Sequence, residues 1–295
     1  MPTLDQIQIR DPFVVAEQDT YYLFGSTDKD IWHSDGVGFD VYRAKGQLRE
    51  FEGPFPAFRP PSGFWSKKNF WAPEVYAYHD AYYMFATFLP IEGRRGTAVL
   101  RSDSVMGPYC PHSDGLVTPG DWECLDGTLY VDEQGPWMVF CHEWTQVGDG
   151  EICAIRLSHD LSRAVGEPQV LFTASSAPWA APLKKRAAGS FVTDGPDVVR
   201  HRSGKLLIVW SSFGEDGNYC IGVASSSSGD LAGPWTQSDR PLFESDGGHG
   251  MVFSAAGDDL YLAIHTPNKT PCERPIFVGL HETDEGLWTN GTIIS

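Results

Sequence analysis

The 295 residues include 22 Lys and Arg against 39 Asp and Glu, and the formal net charge of -17 argues against nucleic acid or an anionic membrane surface as partner, because both would repel so acidic a surface. Aromatic residues make up 13% of the chain, a composition that suits β-structure and also stacking on the apolar faces of sugar rings. A neutral substrate fits this balance better.

The first strand-like segment is Asp11-Pro12-Phe13-Val14-Val15, which turns at Glu17-Gln18-Asp19 into the aromatic run Tyr21-Tyr22-Leu23-Phe24. Pro73-Glu74-Val75-Tyr76 repeats the pattern, turning at His79-Asp80 into Tyr82-Tyr83-Met84-Phe85. A third copy is Asp126-Gly127-Thr128-Leu129-Tyr130, which leads to Trp137-Met138-Val139-Phe140. The fourth runs from Asp194-Gly195-Pro196-Asp197-Val198 to Leu206-Leu207-Ile208-Val209-Trp210, and the fifth from His249-Gly250-Met251-Val252-Phe253 to Tyr261-Leu262-Ala263-Ile264. Five irregular units of roughly 60 residues cover the chain, so residues 1–295 read as a single domain.

Within each unit the regular runs are short, rich in Val, Ile, Tyr, Phe and Trp, and bounded by Gly, Pro, Asp or Asn, which is a strand signature. Helical periodicity over a full helical length is absent, although Ala177 to Ala188 could hold a turn or two. Leu100-Arg101-Ser102-Asp103-Ser104 before Gly107-Pro108-Tyr109, and Ala224-Ser225-Ser226-Ser227-Ser228 before Gly233-Pro234-Trp235, occupy the same place in their units. Such repeats predict an all-β, five-bladed β-propeller in which each blade is a four-stranded antiparallel sheet. A β-sandwich would not need five copies with an ionisable residue in phase.

The six cysteines show neither a CxxC pair nor metal-ligand spacing, so buried reduced thiols are expected. Met1-Pro2-Thr3-Leu4-Asp5 has no basic segment followed by an apolar one, and no apolar run approaches the roughly 20 residues of a membrane span. The expectation is a cytoplasmic protein.

The first strand of each propeller blade lines the central channel, so Asp11, Glu74, Asp126, Asp194 and His249 are expected to converge on one pocket. Converging carboxylates repel each other and lose hydration, a cost that points to binding or catalysis. Asp before Gly or Pro is also a common turn former; five in register are harder to explain that way.

The ordered set Arg10-Asp11-Pro12-Phe13, Trp71-Ala72-Pro73-Glu74, Leu125-Asp126-Gly127-Thr128, Thr193-Asp194-Gly195-Pro196 and Gly247-Gly248-His249-Gly250 resembles glycoside hydrolase family 43. The resemblance spans nearly the whole chain. It implies a five-bladed propeller that hydrolyses glycosides with inversion, with Asp11 as general base, Asp126 as the residue that tunes and positions the acid, and Asp194 where the acid belongs. That last position is usually Glu, and Asp is one methylene shorter. Glu143, in Cys141-His142-Glu143-Trp144, is therefore the reserve acid and otherwise a sugar contact. The resemblance also implies that His249 helps to hold a structural calcium ion in the channel, mostly through waters; the alternative is a histidine hydrogen-bonded to a carboxylate.

Arg10, Trp71, Glu74, His265 and Arg274 are the expected substrate contacts, with Trp65 and Phe70 joining Trp71 in an aromatic wall or, equally, in the core. The family implies exo action on plant-derived pentosides, α-L-arabinofuranosides before β-D-xylosides or β-D-galactosides, and a small oligosaccharide as substrate. A sugar-binding propeller without catalysis is the alternative from another class. Trp122-Glu123-Cys124-Leu125-Asp126 also resembles the Glu-Cys motif of invertase-like retaining fructosidases, with Glu123 as acid, but Arg10-Asp11-Pro12-Phe13 lacks the asparagines of their nucleophile motif.

Overall fold

The computed structural model describes residues 1–184 and 189–295. Each apolar run pairs with the next through a tight turn, so that every blade is a meander of strands contiguous in sequence. Blade one comprises β1 (Arg10–Glu17), β2 (Thr20–Ser26), β3 (Phe39–Lys45) and β4 (Glu52–Phe58). Blade two comprises β5 (Ser66–Tyr78), β6 (Ala81–Pro90), β7 (Gly96–Ser102) and β8 (Cys110–Leu116). Blade three follows as β9 (Cys124–Asp132), β10 (Gly135–His142), β11 (Glu151–Leu157) and β12 (Ala164–Thr173). Blade four is β13 (Asp194–Arg200), β14 (Leu206–Phe213), β15 (Tyr219–Ser226) and β16 (Trp235–Gln237), and blade five is β17 (Gly248–Ser254), β18 (Leu260–Thr266), β19 (Arg274–Glu282) and β20 (Leu287–Ile294). The molecule is the expected five-bladed β-propeller.

All five inner strands break register at the same place. In β1 the pairing jumps from Arg10 to Phe13 while β2 advances only from Ser26 to Phe24, and the same one-residue bulge recurs at Trp71/Glu74, Leu125/Thr128, Asp194/Asp197 and Gly248/Met251. The first bulged residue takes left-handed φ in every blade: Asp11 53°, Ala72 45°, Asp126 56°, Gly195 49° and His249 48°. A proline or glycine always follows it. Proline is tolerated there because the extra residue of a bulge makes no ladder bond.

These bulges correct the expected phase of the repeat. Asp11, Asp126 and His249 are equivalent, but their blade-two and blade-four counterparts are Ala72 and Gly195. Asp194 precedes its bulge and matches Arg10, Trp71 and Leu125. Glu74 follows its bulge and matches Phe13, Thr128 and Asp197, one layer deeper in the channel. Left-handed φ costs a non-glycine residue roughly 1–2 kcal/mol, and strain of this kind tends to persist where function requires it.

Between the blades lies an aromatic-rich core. Phe39, Phe58, Phe70 and Phe88 are fully or nearly fully buried and meet in tilted and edge-on contacts. Phe70 and Trp65 therefore belong to packing, Trp65 resting on Phe64 and Phe88. The ring closes without strand exchange: β1 packs beside β17, Arg274 Nε donates to the Asp5 carbonyl at 2.8 Å, and the Phe51 N–H donates to the Pro2 carbonyl at 2.9 Å.

Among the described residues helix is nearly absent, but its placement differs from the expected one. A single turn, α1 (Trp144–Val147), follows Glu143, and a short 3-10 turn occupies Ala174–Ser176. The expected helical stretch Ala177 to Ala188 is non-helical as far as residue 184, and its 185–188 portion lies outside the described residues. All six cysteines are free, with Cys124, Cys141, Cys153 and Cys220 buried. Among the described residues no helix is long and apolar enough to cross a membrane.

Candidate active site

Because each bulge turns its residue off the strand face, the starts of the inner strands surround one cavity of about 490 Å³. Arg10, Asp11, Trp71, Leu125, Asp126, Asp194 and His249 all line it, and Glu143 joins them from the end of β10.

Asp11 is nearly inaccessible, at 7% exposure. The Ser26 hydroxyl donates to its Oδ2 at 2.6 Å, while Oδ1 lies 3.3 Å from His249 Nδ1 and 3.7 Å from Arg10 Nε. Burial pushes this carboxyl up, yet His249, Arg10 and the serine together outweigh burial and hold it below the usual carboxylate range.

Asp126 and Asp194 are displaced the other way. Burial, then the Asp11 charge, pushes Asp126 up to about 8, although the Gly195 N–H donates to its Oδ2 at 3.0 Å. Burial, followed by repulsion from Asp126 and Glu143, pushes Asp194 up to about 7, against the Tyr219 hydroxyl that donates to its Oδ2 at 3.0 Å. The two carboxyls titrate as a pair that retains protons towards neutrality. One cavity thus presents an ionised carboxylate and a protonated carboxyl, the proton states that hydrolysis with inversion requires.

His265 is fully buried and does not reach the cavity. Burial, then Arg10, pushes it down to about 3, so its ring is neutral and its bare Nδ1 accepts the Asp11 backbone N–H at 3.2 Å. His265 props the left-handed turn that aims Asp11, which corrects its expected role as a substrate contact. Glu74 is corrected too: it lies below the cavity, takes a hydrogen bond from the Tyr76 hydroxyl at 2.5 Å, and is pushed well above the carboxylate range by burial. Arg274 sits at the ring closure, bonded to the Asp5, Pro271 and Glu273 carbonyls.

Glu143 Oε2 accepts from Arg95 NH2 at 2.8 Å and from the Thr145 hydroxyl at 2.8 Å, an arrangement that occupies the carboxylate as an acceptor. Glu123 is away from the cavity, in ion pairs with Arg94 at 3.3 Å and Arg95 at 3.8 Å. An acid at Glu123, as in the invertase-like reading, has no support in this arrangement.

Several lining residues escaped sequence reasoning. Arg95 stacks over Trp71 with its guanidinium carbon 4.9 Å from the ring centroid, and the Trp71 indole N–H donates to the Ile31 carbonyl at 2.8 Å. Trp32 meets Trp71 edge-on at 5.1 Å and donates from Nε1 to Thr270 Oγ1 at 3.0 Å. Arg10 lies 5.3 Å from the Trp32 centroid while bonding Glu273 at 3.1 Å. A basic pair between Gly93 and Gly96 in so acidic a chain, and a lone tryptophan in the polar run Asp30-Ile31-Trp32-His33, were the available signals.

His249 turns Nδ1 towards Asp11 and Asp126, and its Nε2 makes no hydrogen bond among the described residues. No group of three or more His, Cys, Asp or Glu among the described residues is arranged to hold a metal directly. Calcium takes six to eight oxygens at about 2.3–2.6 Å, so this donor set fits an ion held through water and not one caged by side chains.

A propeller whose axis carries carboxyl groups in opposed proton states is equipped for acid–base hydrolysis of a glycosidic bond. The sequence profile of glycosyl hydrolases family 43 matches residues 2–284. An endo-arabinase from Bacteroides thetaiotaomicron VPI-5482 superposes with a TM-score of 0.88 at 39% identity, over 96% of this chain and 97% of that one. The extracellular exo-alpha-(1->5)-L-arabinofuranosidase ArbA of Cellvibrio japonicus is 22% identical over 88% of this chain and 79% of its own length. The extracellular exo-alpha-(1->5)-L-arabinofuranosidase of Streptomyces avermitilis is 26% identical over 61% of this chain, which spans 49% of that protein. The chain belongs to glycosyl hydrolases family 43 and is a glycoside hydrolase. Two of these relatives are named extracellular enzymes, which overturns the cytoplasmic expectation drawn from the first five residues.

Proposed function

We propose that the protein removes α-L-arabinofuranosyl residues from the ends of arabinan-type chains with inversion at the anomeric carbon. Asp11 takes the proton of the attacking water. Asp194 delivers its proton to the departing glycosidic oxygen; burial and the coupling of its carboxyl to that of Asp126 keep the proton in place towards neutrality. Trp71 offers its face to the sugar and Arg10 a hydrogen bond at the rim, while Glu143 contacts substrate hydroxyls.

The observation that carries this reading is the meeting of Asp11, Asp126 and Asp194 around one cavity with opposed proton affinities. The sugar class is supported by the named activities of the relatives, exo-arabinofuranosidases and an endo-arabinase. Nitrophenyl α-L-arabinofuranoside is expected to release nitrophenol well ahead of the β-D-xyloside and β-D-galactoside. A blank panel accompanied by measurable sugar binding would favour a propeller that binds without cleaving.

The same reading includes one calcium ion beside His249, held mainly through water, whose role is structural. Chelator titration should then lower the melting temperature, and an unchanged melting curve removes the ion from the account.

A further inference from the structure

A second cavity, of about 590 Å³, lies between the outer strands of blades four and five. Its floor is apolar: Leu207 and Leu287 are buried, and Val223 and Leu242 pack against the same core. Trp288 stands beside that floor with half its surface exposed (50%). Together with that floor, the half-exposed indole makes a continuous apolar surface that a ligand could cover. Around it, the exposed Asp239, Arg240 and Glu285 make no side-chain hydrogen bond or ion pair among the described residues.

This groove is remote from the catalytic cavity. In blade five the cavity end is marked by the pairing of Gly248 with His265 and of His265 with Pro275, whereas Trp288 pairs with His281, near the opposite end of β19. Nothing that binds at Trp288 needs to enter the space around Asp11.

A half-exposed indole, an apolar floor and uncommitted donors and acceptors of both signs suit a neutral sugar chain. The ring face stacks on sugar C–H groups and the polar side chains take up hydroxyls. The acidic chain, at -17, argues against a polyanionic occupant. We propose that the groove between blades four and five is a non-catalytic binding site for the neutral polysaccharide that the enzyme cleaves, with Trp288 as its platform; that the polymer is an arabinan rests on the function proposed above. Two sites on one polymer raise the effective substrate concentration at the cavity without adding a contact there.

Native electrophoresis through gels containing linear arabinan, xylan or β-glucan tests this, alongside kinetics on the polymer and on nitrophenyl α-L-arabinofuranoside. Wild-type protein should be retarded by arabinan. Trp288→Ala should lose most of that retardation and raise the polymer KM by about tenfold, while turnover of the aryl glycoside, which fills only the cavity, stays unchanged and reports an intact fold. Trp288→Tyr, which keeps an aromatic face, should recover part of the retardation. Equal retardation and equal polymer KM in wild type and Trp288→Ala would overturn the site. Retardation by another polysaccharide that depends on Trp288, in a protein inert towards arabinofuranosides, would sink the arabinan reading and keep the groove.

Discussion

Asp11→Asn is expected to lower kcat on aryl arabinofuranosides by about 10³-fold or more, within the range that a lost general base costs, while KM changes little. The amide has the shape of the carboxylate and can still accept from Ser26 Oγ, now 2.6 Å away, so the pocket should stay formed. It cannot take a proton from water. A loss confined to kcat marks an interaction made in the transition state. Steady-state kinetics with a melting curve as control measures this, and wild-type turnover in the mutant would remove Asp11 from the mechanism.

The second large effect concerns the acid. In the wild type, kcat/KM should hold on the acidic side until pH falls below the usual carboxylate range, because, against burial, His249 and Arg10 hold Asp11 under it. On the basic side it should fall as pH rises through about 7 to 8, where the coupled pair of Asp126 and Asp194 gives up its proton. Asp194→Ala should lose roughly 10²–10⁴-fold on arabinan but far less on a dinitrophenyl glycoside, whose leaving group departs without a proton. With that substrate the basic limb should flatten. Absence of any such rescue transfers the role to Glu143, against the two hydrogen bonds that occupy its carboxylate.

Much of the fold was legible in the chain because hairpin chemistry repeats. Five alternations of apolar run, polar turn and aromatic run translate directly into inner and second strands. The site was legible in its members but not in its register. Asp11, Asp126 and His249 occupy one layer, yet Glu74 lies two residues after and Asp194 one residue before the bulged position of its own strand. A bulge leaves only a faint local mark, here the proline or glycine after each left-handed residue, and that mark places Ala72 and Gly195 in the ring.

Residues brought in by loops were harder to find. Trp32 and Arg95 reach the cavity from connections whose paths depend on partners far along the chain, Thr270 for one and Glu143 for the other. Tyr219 opens β15 with nothing in its neighbours to separate it from a core aromatic, although its hydroxyl holds Asp194. His265 and Arg274 are the converse. Each is a plausible polar residue at a strand end, and tertiary hydrogen bonds commit one to the Asp11 backbone and the other to the amino-terminal segment.

Proton NMR of the first sugar released from an α-L-arabinofuranoside, recorded before mutarotation, tests most directly whether Asp11 activates water opposite an acid at Asp194. A single displacement by water predicts β-L-arabinofuranose as the initial product. Initial appearance of the α-anomer would mean a double displacement through a covalent intermediate, and would contradict the roles assigned to both carboxyl groups.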